Sequence, residues 1–232
     1  MSTQISNHHE LDSMGPKIPL GTALLILVGA AVGTLALISA LQAWLPAISQ
    51  SLSGSTQAYW DLARSSGIVA YLLMWLSVVF GLIITNRMAR VWPGGPTAFD
   101  LHQFTSLLGL AFAVFHGLIL LGDQYIQYTP LQILIPFAGV NYKPFWVGLG
   151  QVAFYVLIPI TFSYYVRRQI TAGVWRAIHY GSFIAFSMVT VHGLLAGSDT
   201  TSWLMLGLYV MTGASVVFLT LYRMVTMVRA TA

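Results

Sequence analysis

Four histidines lie within apolar segments of this 232-residue chain, and they fall into two pairs. His102 and His116 are fourteen positions apart, and His179 and His192 are thirteen positions apart. An ionisable side chain is costly inside a lipid bilayer, so a histidine kept there is a candidate functional residue. Imidazole is also a common metal ligand. The two pairs therefore predict metal-binding or redox chemistry within a membrane.

The composition indicates the kind of protein that must position these residues. Hydrophobic residues make up 57% of the chain and charged residues only 7%, whereas a soluble domain has about 25% charged residues. The apolar segments are longer than the alternating strands of a membrane barrel, so we predict an all-α membrane protein. The absence of cysteine excludes disulfides, thiolate ligation of haem and cysteine-bound iron–sulfur clusters. The net charge of +4 is read as a topology signal, with no nucleic-acid partner expected.

Six segments have the length of about 20 apolar residues that a transmembrane helix needs. The first is far longer than the apolar core of a signal peptide, so it is read as a membrane span. We therefore predict a cytoplasmic tail over 1–17 and a six-helix membrane domain over 18–232, with the lipid bilayer as a partner. The predicted spans cover roughly 18–45, 65–86, 102–122, 145–166, 177–196 and 203–225.

The basic residues predict an orientation. Both termini share one side when the number of spans is even, and basic residues concentrate on the cytoplasmic side. If the termini are cytoplasmic, only Arg64 and Lys143 are outside. Spans three and five then run in parallel, from inside to outside. The residues placed inside are Lys17, Arg87, Arg90, Arg167, Arg168, Arg176, Arg223 and Arg229.

Because spans three and five are parallel, each histidine of one span lies at the same depth as one histidine of the other, which gives two couples across the bundle. His102 and His179 lie near the inner edge, and His116 and His192 lie roughly 20 Å further out at 1.5 Å rise per residue. Each couple can supply both axial ligands of one haem, so we expect two haems between spans three and five. Fourteen residues return a helix to nearly the same face, but thirteen leave a difference of about 140°. Span five is therefore expected either to depart from ideal winding or to present its ligands from different sides.

A haem-free alternative remains open. Histidines inside a membrane bundle can hydrogen-bond across helices and bind nothing. The chain would then be a structural protein, or a proton or ion transporter with histidines in its path. A reduced-minus-oxidised spectrum separates this alternative from a haem protein.

The chain resembles the ferric-reductase-like transmembrane domain family, which includes NADPH oxidases and cell-surface metal reductases. The resemblance rests on HQFTSLLGLAFAVFH in span three and HYGSFIAFSMVTVH in span five, because the family spaces these histidines by fourteen and thirteen positions. It covers spans two to six. It implies two b-type haems, with His102 and His179 binding the inner iron and His116 and His192 binding the outer iron.

A further element of the resemblance is LARSSG at the start of span two. In the family an arginine here faces the propionates of the outer haem, which implies that role for Arg64. A guanidinium can donate two parallel hydrogen bonds to a carboxylate. The alternative is an interfacial arginine that only reaches for water. In the family the propionates of the inner haem point toward the cytoplasm. The resemblance therefore implies that three arginines lie at their level, namely Arg87, Arg90 and Arg176.

The resemblance also implies partners. Many family members carry a C-terminal flavin and nicotinamide domain, whereas this sequence ends soon after span six. We therefore expect a separate flavoprotein reductase or a membrane quinol as the electron donor, with a flavin or quinone at the cytoplasmic side. The acceptor is expected outside a bacterial cell membrane, as ferric iron, oxygen or a redox protein. The chain is then either an oxidoreductase or a non-catalytic haem subunit, for example of a periplasmic methionine-sulfoxide reductase system.

Overall fold

A computed structural model describes residues 15–51 and 57–231, with side chains over 15–44 and 57–226. Among these residues there is no strand, and six helices are long and apolar enough to cross a membrane. The prediction of an all-α membrane protein with six spans is therefore confirmed, while most of the proposed tail, 1–17, lies outside the described residues. The helices are α1 (Leu20–Ser51), α2 (Ala58–Thr85), α3 (Gly95–Ile119), the short α4 (Pro130–Leu134), α5 (Pro144–Val166), α6 (Ala172–Ala196) and α7 (Trp203–Thr231).

Several helices begin earlier than the apolar segments predicted. Helices α2 and α3 each start seven residues before the predicted spans, at Ala58 and Gly95. Helix α6 starts at Ala172, where the hydroxyl of Thr171 accepts a hydrogen bond from the Val174 backbone N–H. The prediction followed apolar residues only, whereas these helices continue into polar residues at the membrane edge. His102 and His179 consequently lie about two helical turns inside their helices.

The bundle consists of two tightly packed antiparallel helix pairs, α2–α3 and α5–α6. Helix α1 packs on α3, and α7 packs on α2. Helices α3 and α6 do not pack closely on each other, so a cavity lies between the two pairs. The outward faces are apolar, as shown by Leu25 and Met211, which are 70% and 72% exposed. A lipid bilayer is the solvent that suits such a surface.

Polar side chains join α2 to α7 inside the apolar bundle. The Tyr71 hydroxyl lies 2.6 Å from the Thr212 hydroxyl, and the Trp75 Nε1–H donates to Ser215 Oγ over 2.8 Å. Such bonds satisfy polar groups that lipid cannot satisfy. They fix the rotation of α2, which carries residues that contact two of the four histidines.

The connection between α3 and α5 contains the short helix α4, which the sequence analysis did not predict. It starts with a capping box, in which the Thr129 hydroxyl and the Gln132 side chain each bond to the other residue's backbone N–H. From α5, Gln151 donates to the carbonyls of Gln132 and Ile133, and the Tyr155 hydroxyl donates to the carbonyl of Leu134. The two α5 side chains thereby satisfy carbonyls at the end of α4. This holds α4 against the end of the cavity that contains Arg64.

Candidate haem site

The structure brings the four intramembrane histidines together as two couples across the cavity. The ring centroids of His102 and His179 are 5.9 Å apart, and those of His116 and His192 are 6.2 Å apart. The couples join α3 to α6 at two depths, so these helices run in parallel, as the predicted alternation of the spans requires. We call the end near Arg64 the Arg64 end and the opposite end the Arg176 end.

Three of the four imidazoles are anchored through Nδ1 to a backbone carbonyl of a neighbouring helix. The acceptors are the carbonyl of Ser77 for His102 at 2.8 Å and that of Ala63 for His116 at 2.7 Å. A carbonyl can only accept, so each anchored Nδ1 carries the proton. In the neutral ring Nε2 is then unprotonated, which is the state that binds a metal. The third anchor joins His192 to the carbonyl of Trp146 at 2.8 Å.

A glycine makes room for each anchored ring. A Cβ at Gly67 would lie 2.9 Å from Nδ1 of His116, and one at Gly150 would lie 2.6 Å from Nδ1 of His192. A Cβ at Gly81 would lie 3.4 Å from Cε1 of His102. Each anchored imidazole therefore rests on helix backbone.

The acceptor carbonyl is in each case four residues before that glycine, in the order Ser77 and Gly81, Ala63 and Gly67, Trp146 and Gly150. In an α-helix the carbonyl of residue i−4 bonds to the N–H of residue i. A glycine at i lacks the Cβ that would cover this carbonyl, so the oxygen can accept a second hydrogen bond from an imidazole. We call this arrangement the glycine socket.

His179 has no glycine socket. Its Nδ1 is buried and has no hydrogen-bond partner among the described residues. Its ring instead stacks on Trp175, one turn earlier in α6, with centroids 5.1 Å apart and planes 21° apart. A stacked ring supports the imidazole through dispersion and gives no directional bond to Nδ1.

The shorter spacing of the two histidines on α6 explains this exception. Helix α6 is an uninterrupted α-helix from Ala172 to Ala196, so the expected change of winding is absent and the other expectation applies. His179 and His192 leave the helix in different directions. Nδ1 of His192 bonds to α5, whereas Nδ1 of His179 has no acceptor on a second helix within the described residues.

The cavity between the helix pairs has a volume of about 980 Å³ and is lined by all four histidines. It reaches from Arg64 at one end to Arg176 at the other. This volume is at the upper end of the range for ligand pockets, about 300–1,000 Å³. Most of the lining is apolar, with residues such as Met74, Leu110 and Phe183 between the couples.

The couples fit haem iron better than a metal bound by protein alone. Among the described residues, no group of three His, Cys, Asp or Glu side chains is placed to hold a metal ion, whereas protein zinc sites use three or four ligands. Haem brings its own equatorial ligands and needs only one or two from the protein. A metal-bound imidazole nitrogen lies about 2 Å from the ion, so two rings sharing one iron have centroids roughly 6 Å apart. The measured separations agree with this spacing.

Arg64 lies at the mouth of the cavity, in contact with two carboxylates. Its Nε donates to Asp199 Oδ2 over 2.8 Å, its Nη2 also bonds Asp199, and its Nη1 lies 3.3 Å from Asp61. Both carboxylate oxygens of Asp199 are therefore bonded to Arg64. Burial and the Asp199 carboxylate raise the pKa of the Tyr142 hydroxyl, which donates to the carbonyl of Ala196 over 2.7 Å. Arg64 and Asp199 thus join α2 to the connection between α6 and α7.

The Arg176 end is basic. Arg167, Arg176 and Arg223 line the cavity there. The Arg167 guanidinium lies 4.0 Å from the centre of the Tyr164 ring, and Arg223 donates to the carbonyl of Thr85 over 2.9 Å. Of the three arginines expected near the inner haem, Arg176 lines the cavity, whereas Arg87 and Arg90 are not among its lining residues.

The sequence analysis missed the glycines and carbonyls that hold the histidines. A signal was present, because Gly67 and Gly81 have the same spacing along the chain as His102 and His116. In an antiparallel helix pair, equal spacings bring both residues of one helix opposite both residues of the other. Gly150 offers no comparable signal, because only one histidine is anchored on α5.

Comparison of the chain with protein-family models, curated proteins and solved structures finds no match.

Proposed function

We propose that this chain binds two b-type haems and moves single electrons across a membrane, as a ferric-reductase-like protein. The observation that carries the proposal is the pair of histidine couples, with ring separations of 5.9 and 6.2 Å on opposite walls of one cavity. His102 and His179 would hold one haem, and His116 and His192 the other. The resemblance of the two histidine runs to the ferric-reductase-like family supports the same assignment.

Haem supplies reversible one-electron chemistry, while the protein determines its ligation and surroundings. The glycine sockets keep Nε2 of His102, His116 and His192 unprotonated. With two imidazoles holding each iron, no coordination position would remain open, which would favour electron transfer. The apolar cavity walls exclude water between the couples. Arg64 is proposed to hold a carboxylate of the outer haem, exchanging its contact with Asp199 for that carboxylate.

The Arg176 end is proposed as the cytoplasmic, electron-accepting end, because the positive-inside rule places most basic residues there. A flavoprotein reductase or a membrane quinol would deliver electrons at this end, and the arginines that line it suit a negatively charged partner. An outer acceptor would be reduced at the Arg64 end. Working as the haem subunit of a larger complex is compatible with the same geometry.

Haem content tests the proposal directly. We expect purified protein to show b-type bands in a reduced-minus-oxidised spectrum and about two haems per chain by the pyridine haemochrome assay. His116→Ala and His192→Ala should alter the absorption of the same haem. Protein without haem bands would refute the proposal and favour the haem-free alternative. Changes in different haems in these two variants would refute the assignment of the couples.

Lipid vesicles test whether the protein moves electrons across a membrane, whichever way it is inserted. Purified protein is reconstituted with ferricyanide trapped inside, and dithionite is added outside. We expect the wild-type protein to reduce the trapped ferricyanide and His116→Ala to do so at least tenfold more slowly. Equal rates in the two samples would show that the histidine couples are not the path of the electrons.

A further inference from the structure

His179 differs from the other three histidines in how its ring is held. The rings of His102, His116 and His192 each have a carbonyl partner on a second helix, whereas Nδ1 of His179 is buried and has none among the described residues. The difference lies within one couple, since His102 and His179 face each other across 5.9 Å. The His116–His192 couple has an anchor on both sides.

Such a partner matters for metal binding. A hydrogen bond from the second ring nitrogen fixes the orientation of the imidazole and increases its basicity, and loss of such a partner typically weakens metal binding 10–100-fold. Stacking on Trp175 supports the ring but places no acceptor at Nδ1. Rotation of the His179 ring away from the cavity therefore breaks no hydrogen bond to a second helix within the described part of the chain.

We propose that His179 is the exchangeable axial ligand, so that a small neutral molecule such as carbon monoxide can take its place on the iron of the His102–His179 couple. In this exchange the bond from iron to His179 Nε2 breaks, a bond to the incoming molecule forms, and no electron is transferred. The other three histidines keep their bonds. The inference rests on the proposed haem binding and adds a ligand site at the Arg176 end.

Carbon monoxide is the probe, because it binds ferrous haem where an axial ligand can leave. Purified, fully loaded protein is reduced with dithionite and titrated with the gas while the Soret band is recorded. We expect one of the two haems to form the adduct with at least tenfold higher affinity than the other. His179→Ala should retain this adduct and form it faster, because no ligand has to leave.

Three results would overturn the inference. In the first, neither haem binds carbon monoxide; in the second, both haems bind it equally; in the third, the reactive haem is the one whose absorption changes in His116→Ala. In each case the two-haem proposal would stand. Protein without any haem would instead refute the proposed function itself, so the two failures are distinguishable.

A second variant tests whether the glycine socket is what prevents carbon monoxide from replacing a histidine. A Cβ at Gly150 would lie 2.6 Å from Nδ1 of His192 and should displace that ring from its carbonyl. Gly150→Ala is therefore expected to make the second haem reactive with carbon monoxide. Gly207→Ala in α7, where a Cβ would meet nothing within 4 Å, is the matched control and should behave like wild type. An unreactive second haem in folded, two-haem Gly150→Ala would show that the socket does not control ligand exchange.

Discussion

Helix pairs α2–α3 and α5–α6 present the same ligand type to one cavity and support it differently. On the α2–α3 side, both His102 and His116 bond to carbonyls of α2. On the α5–α6 side, His192 bonds to α5, whereas His179 stacks on a residue of its own helix. The spacing on α3 places two side chains on nearly one face of the helix, and the spacing on α6, which is one residue shorter, does not. A difference of one residue in spacing thus accompanies two anchored histidines on α3 and only one on α6.

The largest difference is expected when each ligand of the His102–His179 couple is removed in turn. His102→Ala leaves only the unanchored His179, so we expect about one haem per chain in the purified variant. His179→Ala leaves the anchored His102, and the haem content should stay near two with one five-coordinate centre. Weaker metal binding by a ligand without a second hydrogen bond is the physical reason. Pyridine haemochrome content and the high-spin absorption of the ferric protein measure both effects.

The opposite order would break this comparison. If His179→Ala loses the haem and His102→Ala keeps it, the anchored ring is not the stronger ligand. The other couple provides the control, because His116→Ala and His192→Ala leave an anchored histidine in each case. These two variants should therefore retain haem to a similar extent.

Adding a methyl group to a glycine socket is expected to have the next largest effect. Gly150→Ala and Gly67→Ala would place a Cβ at 2.6 and 2.9 Å from Nδ1 of their histidines, closer than atoms can approach. We expect haem to leave these variants roughly 10–100-fold faster, measured as transfer to excess apomyoglobin. Gly81→Ala, with 3.4 Å to the nearest His102 atom, should change little. Equal rates in all three variants would show that the close approach is unimportant.

Sequence and structure agree where a single residue type carries the signal. Histidines in lipid, the positive-inside bias and the parallel direction of two spans predicted the couples. The hydrogen bonds that hold the rings were not predicted, because every residue has a backbone carbonyl and residue type does not mark an acceptor. These carbonyls are open to an imidazole because a glycine follows four residues later in the same helix. The α4 segment was missed for a related reason. Its five residues are too few for a periodic pattern, and contacts from Gln151 and Tyr155 hold it in place.

Arg64 provides a smaller, one-sided test. Arg64→Gln is expected to loosen only the haem of the His116–His192 couple, by about 1.5 kcal/mol, the lower range for a hydrogen bond to a charged group. That corresponds to roughly a tenfold faster transfer to apomyoglobin. Asp199→Asn is the control, because it removes the ion pair and keeps the guanidinium. If both variants have the same effect, Arg64 serves only its contact with Asp199 and not a haem carboxylate.

The smallest effect is expected from the hydroxyls beside His102. Ser77 Oγ lies 3.2 Å from Nδ1 of His102 and 2.6 Å from Ser106 Oγ, whereas the Ser77 carbonyl lies closer to Nδ1, at 2.8 Å. Ser77→Ala removes the hydroxyl and leaves the carbonyl anchor, so haem retention should weaken by only about 0.5 kcal/mol, the lower limit for a neutral hydrogen bond. Ser106→Ala should have a still smaller effect, because the Ser106 hydroxyl reaches the imidazole of His102 only through Ser77 and itself donates to the backbone carbonyl of His102 over 2.6 Å. If Ser77→Ala releases haem as fast as Gly150→Ala does, the hydroxyl and not the carbonyl is the anchor of His102. The glycine socket would then not be the common device that separates three of these histidines from His179.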